Sequence, residues 1–302
     1  MTHEIKCKIC GSNDIEKKFD NDERILQCQK CEVAFLSSKM VNYNPAEYYS
    51  EEAGYSAITA SQERHSFITD NAGVVMGLIG KYVSGKGSLL DVGAHTGIFV
   101  REANKNGFEA VGIEPDTDSV KWANENSIPL YRSDIENFST DKKFDTITVL
   151  HVLEHVADPV SVLNKLRNLL KKDGAVVIEV PDISSYLAKK DGIFWKFIAL
   201  EHIFYFSRRS LQRLLEGLGF RVIVARQRNH EINYLSINKL ARYFIGGGLI
   251  RDRFKSKDRS IHAGSIIAEN TGFYKRLIKR VLVSLINLLR RQDHILIIAQ
   301  KR

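Results

Sequence analysis

Leu89-Leu90-Asp91-Val92-Gly93-Ala94-His95-Thr96-Gly97 is the stretch that decides how this 302-residue chain folds. The apolar run predicts a buried strand over 88–92, and the residues beyond Gly97 predict a helix over 97–106. A glycine turn between a strand and a helix lets a ligand come close to the helix N-terminus. Dinucleotide sites use the spacing G-x-G-x-x-G so that a pyrophosphate can approach; here Gly93 and Gly97 flank Ala94 and His95, and Asp91 stands two residues ahead. A carboxylate there repels a pyrophosphate and suits a cofactor with a positive centre and no phosphate. Such a turn can also merely connect a strand to a helix. A second predicted strand, 109–114, ends in Glu114-Pro115, with Glu114 placed to accept hydrogen bonds from ribose hydroxyls. The two acids together are far more specific than either alone.

Working outward, the pattern predicts a helix from about Gln62 to Tyr82 and a helix over 117–126. A short strand near Pro129 to Tyr131 and the pair Asp134-Ile135 come next. Then follow a strand from Phe144 to Leu150, a helix from Pro159 to Leu170 and a strand from Ala175 to Val180. Strands alternating with helices build a mostly parallel sheet covered on both faces, an α/β fold that binds ligands beyond the carboxyl ends of its strands. The apolar stretch 293–300 reads as a final strand, paired with Arg221 to Ala225. The expected division is a cysteine module over 1–40, an aromatic linker and leading helix over 41–84, and the main domain over 85–230. A basic insertion over 231–292 and the final strand over 293–302 complete it.

The segment after Leu150 is His151-Val152-Leu153-Glu154-His155-Val156-Ala157-Asp158-Pro159, and farther on stands Glu201-His202-Ile203-Phe204-Tyr205-Phe206-Ser207. With the Asp91–Gly97 turn and Glu114, these residues resemble the class I S-adenosylmethionine (SAM)-dependent methyltransferases, in the broad subgroup acting on small molecules. The likeness covers about Leu89 to Val224 and implies a Rossmann-like sheet whose last strand is antiparallel. It implies cofactor contacts from Asp91, Gly93, Ala94, Gly97, Glu114, Pro115, Asp134, Ile135 and His151, with Asp134 bonding the adenine amine. His95 replaces the middle glycine of the usual D-x-G-x-G-x-G, and histidine tolerates positive φ better than a β-branched residue does.

Methyl transfer from a sulfonium is an in-line displacement, so the protein must position the acceptor and often deprotonate it. Histidine suits that task near neutral pH. His202 is the first candidate base and His155 the second, with Glu201 able to orient a neighbouring imidazole. Each histidine could instead cap the core. Sugar methyltransferases of this type carry Tyr-x-Glu-His where this chain has Ala199-Leu200-Glu201-His202.

All four cysteines lie near the N-terminus, as Cys7-x-x-Cys10 and Cys28-x-x-Cys31. Two knuckles that each present two thiolates make a zinc ribbon, and four cysteines close the coordination sphere, so the zinc is structural. A disulfide pair is the alternative, disfavoured in a reducing compartment. With this module in front, the chain is similar to bacterial zinc-binding sugar methyltransferases that act on nucleotide- or lipid-linked sugars by O- or C-methylation. The tyrosine-rich stretch Tyr43 to Tyr55 would pack the ribbon onto the main domain or close over a substrate.

The formal net charge is +8, but the excess is local: residues 239–291 carry a net of +10 and the remainder −2. Within 273–291 apolar residues recur at helical spacing beside Lys275, Arg276, Lys279, Arg280, Arg290 and Arg291. Such a basic amphipathic helix packs on the domain, docks on an anionic membrane or recognises acceptor phosphates. Gly246-Gly247-Gly248 ahead of it reads as a hinge. No signal core or spanning segment is evident, so the expected location is the cytoplasm, with peripheral contact at the inner membrane face. The expected partner is a small molecule of sugar-phosphate or glycan type. The competing function is RNA methylation, with ribbon and basic segment holding RNA, although no Asn/Asp-Pro-Pro-Tyr motif follows the fourth strand.

Overall fold

The computed structural model describes residues 5–20, 22–37, 62–83, 85–199, 201–228 and 292–302. The described residues up to Gln227, together with Asp293 to Arg302, form one compact unit. The tyrosine-rich linker, the glycine triplet and the basic helix of 273–291 lie outside the described residues.

Seven strands make the main sheet. They are β4 (Ser88–Val92), β5 (Glu109–Glu114), β6 (Leu130–Arg132), β7 (Phe144–Leu150), β8 (Leu170–Pro181), β10 (Phe220–Arg228) and β11 (His294–Lys301), in the order β10-β11-β8-β7-β4-β5-β6. Strands β6, β5, β4, β7 and β8 are parallel, and β11 runs antiparallel to β8. This is the mostly parallel, Rossmann-like sheet with its last strand reversed that the sequence resemblance implied. Residues 88–92 of β4 are all buried at the centre, which is why they are apolar apart from Ser88 and Asp91. The final strand slots between β10 and β8 rather than lying outermost.

The helices are α1 (Gln62–Tyr82), α2 (Ile98–Lys105), α3 (Thr117–Glu125), α4 (Pro159–Leu169), α5 (Tyr186–Asp191) and α6 (Arg208–Gly217). Local chemistry sets their starts: Asp116, Asp158 and Ser207 each accept a hydrogen bond from the backbone N–H three residues on. Two expectations shift. The leading helix, grouped with the linker from the sequence, buries Ala72, Val75 and Ile79 in one cluster with Leu89, Val100 and Leu296, so it is a layer of the main domain. Strand β8 begins at Leu170, five residues before the predicted start, because Leu170 already pairs with Phe144 and Asp173 turns at φ 61°.

The N-terminal module is not freestanding. Strands β1 (Ile15–Phe19), β2 (Asp22–Cys28) and β3 (Ala34–Leu36) form an antiparallel sheet completed by β9 (Phe204–Tyr205). Cys28, Val33 and Phe35 share a core cluster with Phe204, Leu211 and Leu215. Among the described residues, no helix is long and apolar enough to cross a membrane.

Candidate functional site

The strand ends of β4, β5 and β7 carry the first half of the site. Gly93 (φ 69°), His95 (φ 51°) and Gly97 (φ 72°) all adopt left-handed backbone. A Cβ at Gly93 would come within 2.4 Å of a Val152 methyl, and one at Gly97 within 2.7 Å of an Ile128 methyl, so both positions need glycine for conformation and for space. His95 accepts the same conformation, and the turn survives the missing middle glycine. Glu114 holds the turn in place: its carboxylate accepts the His95 N–H at 2.8 Å and the Asp116 N–H at 3.1 Å. Burial pushes the Glu114 carboxyl up to about 7, against the pull of those two N–H donors. Asp91 lies beneath the turn, accepts the Thr148 hydroxyl at 2.6 Å and is likewise pushed up to about 7 by burial.

The remaining residues expected at the cofactor divide by exposure. Ala94 and Ile135 are buried in the core, whereas Pro115 is exposed on the loop after β5. Asp134 accepts the Asn137 backbone N–H at 2.7 Å and its side-chain amide at 2.8 Å, so it also caps a turn after β6. His151 stands directly after β7 at φ 59°, its N–H bonded to the Glu179 carbonyl.

The second half of the site gathers residues from distant segments. Glu154 is 2% exposed, and its backbone carbonyl accepts the N–H groups of Ile203 and Phe204. This clamps the loop after β7 to the loop before β9 and sets His202 against His155, with ring centroids 4.7 Å apart. His155 Nδ1 bonds the Glu201 carbonyl at 2.9 Å, and His202 Nδ1 bonds the Phe197 carbonyl at 2.8 Å. The Glu201 backbone carbonyl thus meets the His155 ring. His151 Nδ1 lies 3.5 Å from the Glu154 carboxylate. Burial would raise the Glu154 carboxyl, but His151, His155 and His202 around it hold it down at about 2. His202 shifts downward, mainly through burial, which favours its neutral imidazole.

Sequence reasoning missed Asp293 and His294. His294 Nδ1 is 2.8 Å from the Asp293 carboxylate, and its ring meets His151 edge-on at 5.0 Å between centroids. Burial opposes ionisation of Asp293, yet His294 and Lys196 hold its carboxyl at about 2. An Asp-His pair ahead of the final strand was the available signal.

The four cysteines also converge. Cys7 Sγ is 3.6 Å from Cys31 Sγ, and Cys10 Sγ is 3.5 Å from Cys28 Sγ. Bonded sulfurs would be about 2 Å apart, whereas a tetrahedron of roughly 2.3 Å metal–sulfur bonds has edges of about 3.8 Å. The thiols are free, and their sulfurs all lie within 4.8 Å of one another, an arrangement that fits a tetrahedral ion. Both knuckles close alike: Gly11 N–H bonds Cys7 O and Glu32 N–H bonds Cys28 O, with Gly11 at φ 71° and Glu32 at φ 64°. The Glu32 side chain then pairs with Arg213 of α6 at 2.8 Å.

A family profile described as a methyltransferase domain matches residues 71–225, just over half of the chain. The ubiquinone biosynthesis O-methyltransferase of Actinobacillus pleuropneumoniae serotype 5b (strain L20) is 37% identical over 112 residues, covering 33% of this chain and 45% of that protein. The enzyme of the same name from Glaesserella parasuis serovar 5 (strain SH0165) is 32% identical over 127 residues, covering 38% and 50%. The chain thus spans about half the length of these curated relatives. Among solved structures, phosphoethanolamine N-methyltransferase 2 of Haemonchus contortus in complex with S-adenosyl-L-methionine shares the fold. Its TM-score is 0.52 at 14% identity, over 77% of this chain and 52% of that one.

Proposed function

The chain belongs to the methyltransferase-domain family, and from that premise we propose that it is a SAM-dependent methyltransferase acting on a hydroxyl of a small molecule. SAM, when bound, supplies an electrophilic methyl group on a sulfonium. The observation that carries the reading is Glu114: a buried carboxylate at a strand end, braced by two backbone N–H groups beside a turn that requires glycine at Gly93 and Gly97. A braced carboxylate of this kind suits ribose hydroxyls, which donate to it, and Asp134 suits the adenine amine. His151, directly after β7, is proposed to contact the cofactor and lies beside Glu154 of the acceptor half.

On the acceptor side, Glu154, His155 and His202 form the activating cluster, with His202 the residue through which the hydroxyl is activated and His155 its support. The curated relatives are named as O-methyltransferases of ubiquinone biosynthesis, which favours a small molecule and oxygen over RNA. A sugar or glycan acceptor is the finer reading, supported by the resemblance of the four-cysteine module. The module is proposed to hold one structural zinc through Cys7, Cys10, Cys28 and Cys31, in a closed site without catalytic chemistry.

The test is incubation of the full chain with methyl-labelled SAM and pools of nucleotide sugars, lipid-linked glycans and phenolic quinol precursors. Label in one pool that disappears in Glu114→Ala is the expected result. Label retained undiminished in that variant would contradict the cofactor assignment, and label in RNA alone would replace the acceptor reading.

A further inference from the structure

Glu154, His155 and His202 have a property that general-base chemistry alone does not use. A backbone carbonyl only accepts hydrogen bonds, so the contacts of His155 Nδ1 with Glu201 O and of His202 Nδ1 with Phe197 O place a proton on Nδ1 of each ring. Each Nε2 is left with its lone pair available. Orientation of an imidazole by a carbonyl on its other nitrogen is the usual outer-shell arrangement of a metal-ligating histidine. Close to both rings lies the Glu154 carboxylate, 2% exposed, and neither of its oxygens makes a hydrogen bond of normal geometry among the described residues. A buried carboxylate without hydrogen bonds costs several kcal/mol unless a cation answers it. The nearest group, His151 Nδ1, stands at an ion-pair distance of 3.5 Å. One ligand atom from each of the three residues falls within 4.8 Å of the other two.

We propose that Glu154, His155 and His202 form a second metal site, distinct from the cysteines, that binds one divalent transition-metal ion. One carboxylate and two neutral imidazoles suit Zn²⁺, Fe²⁺, Co²⁺ or Mn²⁺ rather than the all-oxygen shells of Ca²⁺ and Mg²⁺. Metal–ligand bonds of about 2.1 Å give tetrahedral edges of about 3.4 Å, a spacing that ligand atoms within 4.8 Å of one another reach by small side-chain shifts. The clamp on the Glu154 carbonyl by Ile203 and Phe204 brings the two loops together before any ion arrives. Three protein ligands leave at least one position open. That position takes an oxygen of the acceptor, whose hydroxyl proton becomes more acidic on the ion and passes to solvent. His202 then activates the acceptor as a ligand. This use of the open position rests on the function proposed above; the site itself rests only on the protein's own ligands.

The test is a titration of Co²⁺ into the full-length protein carrying a single equivalent of zinc, enough for the cysteines alone, followed by visible absorption and calorimetry, with SAM affinity measured on the same samples. The expected result is one equivalent of Co²⁺ bound, with ligand-field bands and none of the intense thiolate charge transfer that cysteine ligation brings. His202→Ala and His155→Ala should each weaken Co²⁺ at least about tenfold while SAM binding stays unchanged. Glu154→Gln, which keeps the shape and removes the charge, should do the same and serves if a truncation fails to fold. A wild-type protein that binds SAM but no Co²⁺ overturns the site. So does Co²⁺ binding that survives all three substitutions. Loss of SAM binding by the wild type, with Co²⁺ retained, would instead strike the methyltransferase reading and leave the site standing.

Discussion

Among the described residues, the two clusters proposed to hold a metal are built on opposite plans. The cysteine cluster takes its ligands in local pairs from two matching knuckles and supplies four soft donors, which leaves no coordination position over. The Glu154–His155–His202 cluster takes its ligands from loops almost fifty residues apart, held together by backbone hydrogen bonds, and supplies only three. The first plan suits a fold that must be stapled and the second a site that must stay open to a substrate. They meet at β9. That strand pairs with β3 of the ribbon, the Leu36 N–H bonds the Ile203 carbonyl, and the Glu154 clamp lies next to it. The closed cluster thus secures a wall of the open one.

If this contrast is right, damage to the closed cluster should be the most severe. Cys28 is fully buried, and Cys28→Ser or removal of the ion by a strong chelator should unfold the ribbon, because the metal-binding energy of such modules, on the order of 10 kcal/mol, is folding energy. Circular dichroism and limited proteolysis check this; a metal-free protein with the wild-type digestion pattern breaks the comparison.

Next in size, His202→Ala should lower turnover by about 100-fold or more, the range for a group that promotes loss of the acceptor's proton, and leave SAM affinity near wild type. Equal losses of both would mean that the cluster supports the cofactor half instead.

Acidity should act on the cofactor half more mildly. Glu114 and Asp91 are both raised to about 7 by burial, so below pH 7 they are increasingly neutral. Ribose hydroxyls and a positive cofactor favour the ionised carboxylates, so SAM affinity should fall as the pH drops from 8 to 6, by at most about tenfold per unit for each group. Affinity that rises on acidification contradicts this sign.

The smallest effect is expected at the ribbon's outer contact. Arg213→Ala removes an ion pair to Glu32 whose side chains are 46% and 32% exposed, and should cost about 0–1 kcal/mol of stability in a denaturant titration. A loss several times larger would make the α6 contact, rather than the metal, the main anchor of the ribbon.

Features that depend on neighbours in the chain were legible in the sequence. The strand 88–92 and its glycine turn follow from an apolar run ending in residues that accept positive φ, and the cysteine pairs follow from spacing alone. Helix starts at Asp116, Asp158 and Ser207 carry their own caps. What escaped depends on contacts between distant segments. Two residues of β9 give no periodic signal; the strand exists because β3 is there to pair with it. Glu154 stood in view inside His151–Pro159, but its nearness to both imidazoles depends on hydrogen bonds to Ile203 and Phe204. His294 reaches His151 only because β11 slots in beside β8. The early start of β8 escaped because Leu170, read as the end of a helix, finds Phe144 to pair with.

The central claim is that the turn at Gly93–Gly97 and the carboxylate of Glu114 form a SAM site separable from the histidine cluster. Calorimetric titration of SAM into the full chain and into Glu114→Ala and His202→Ala tests it most directly. The account predicts one site per chain, a loss of about 1–3 kcal/mol in Glu114→Ala from the missing charged acceptor, and wild-type affinity in His202→Ala. Absence of binding to the wild type, or undiminished affinity in Glu114→Ala, would contradict it.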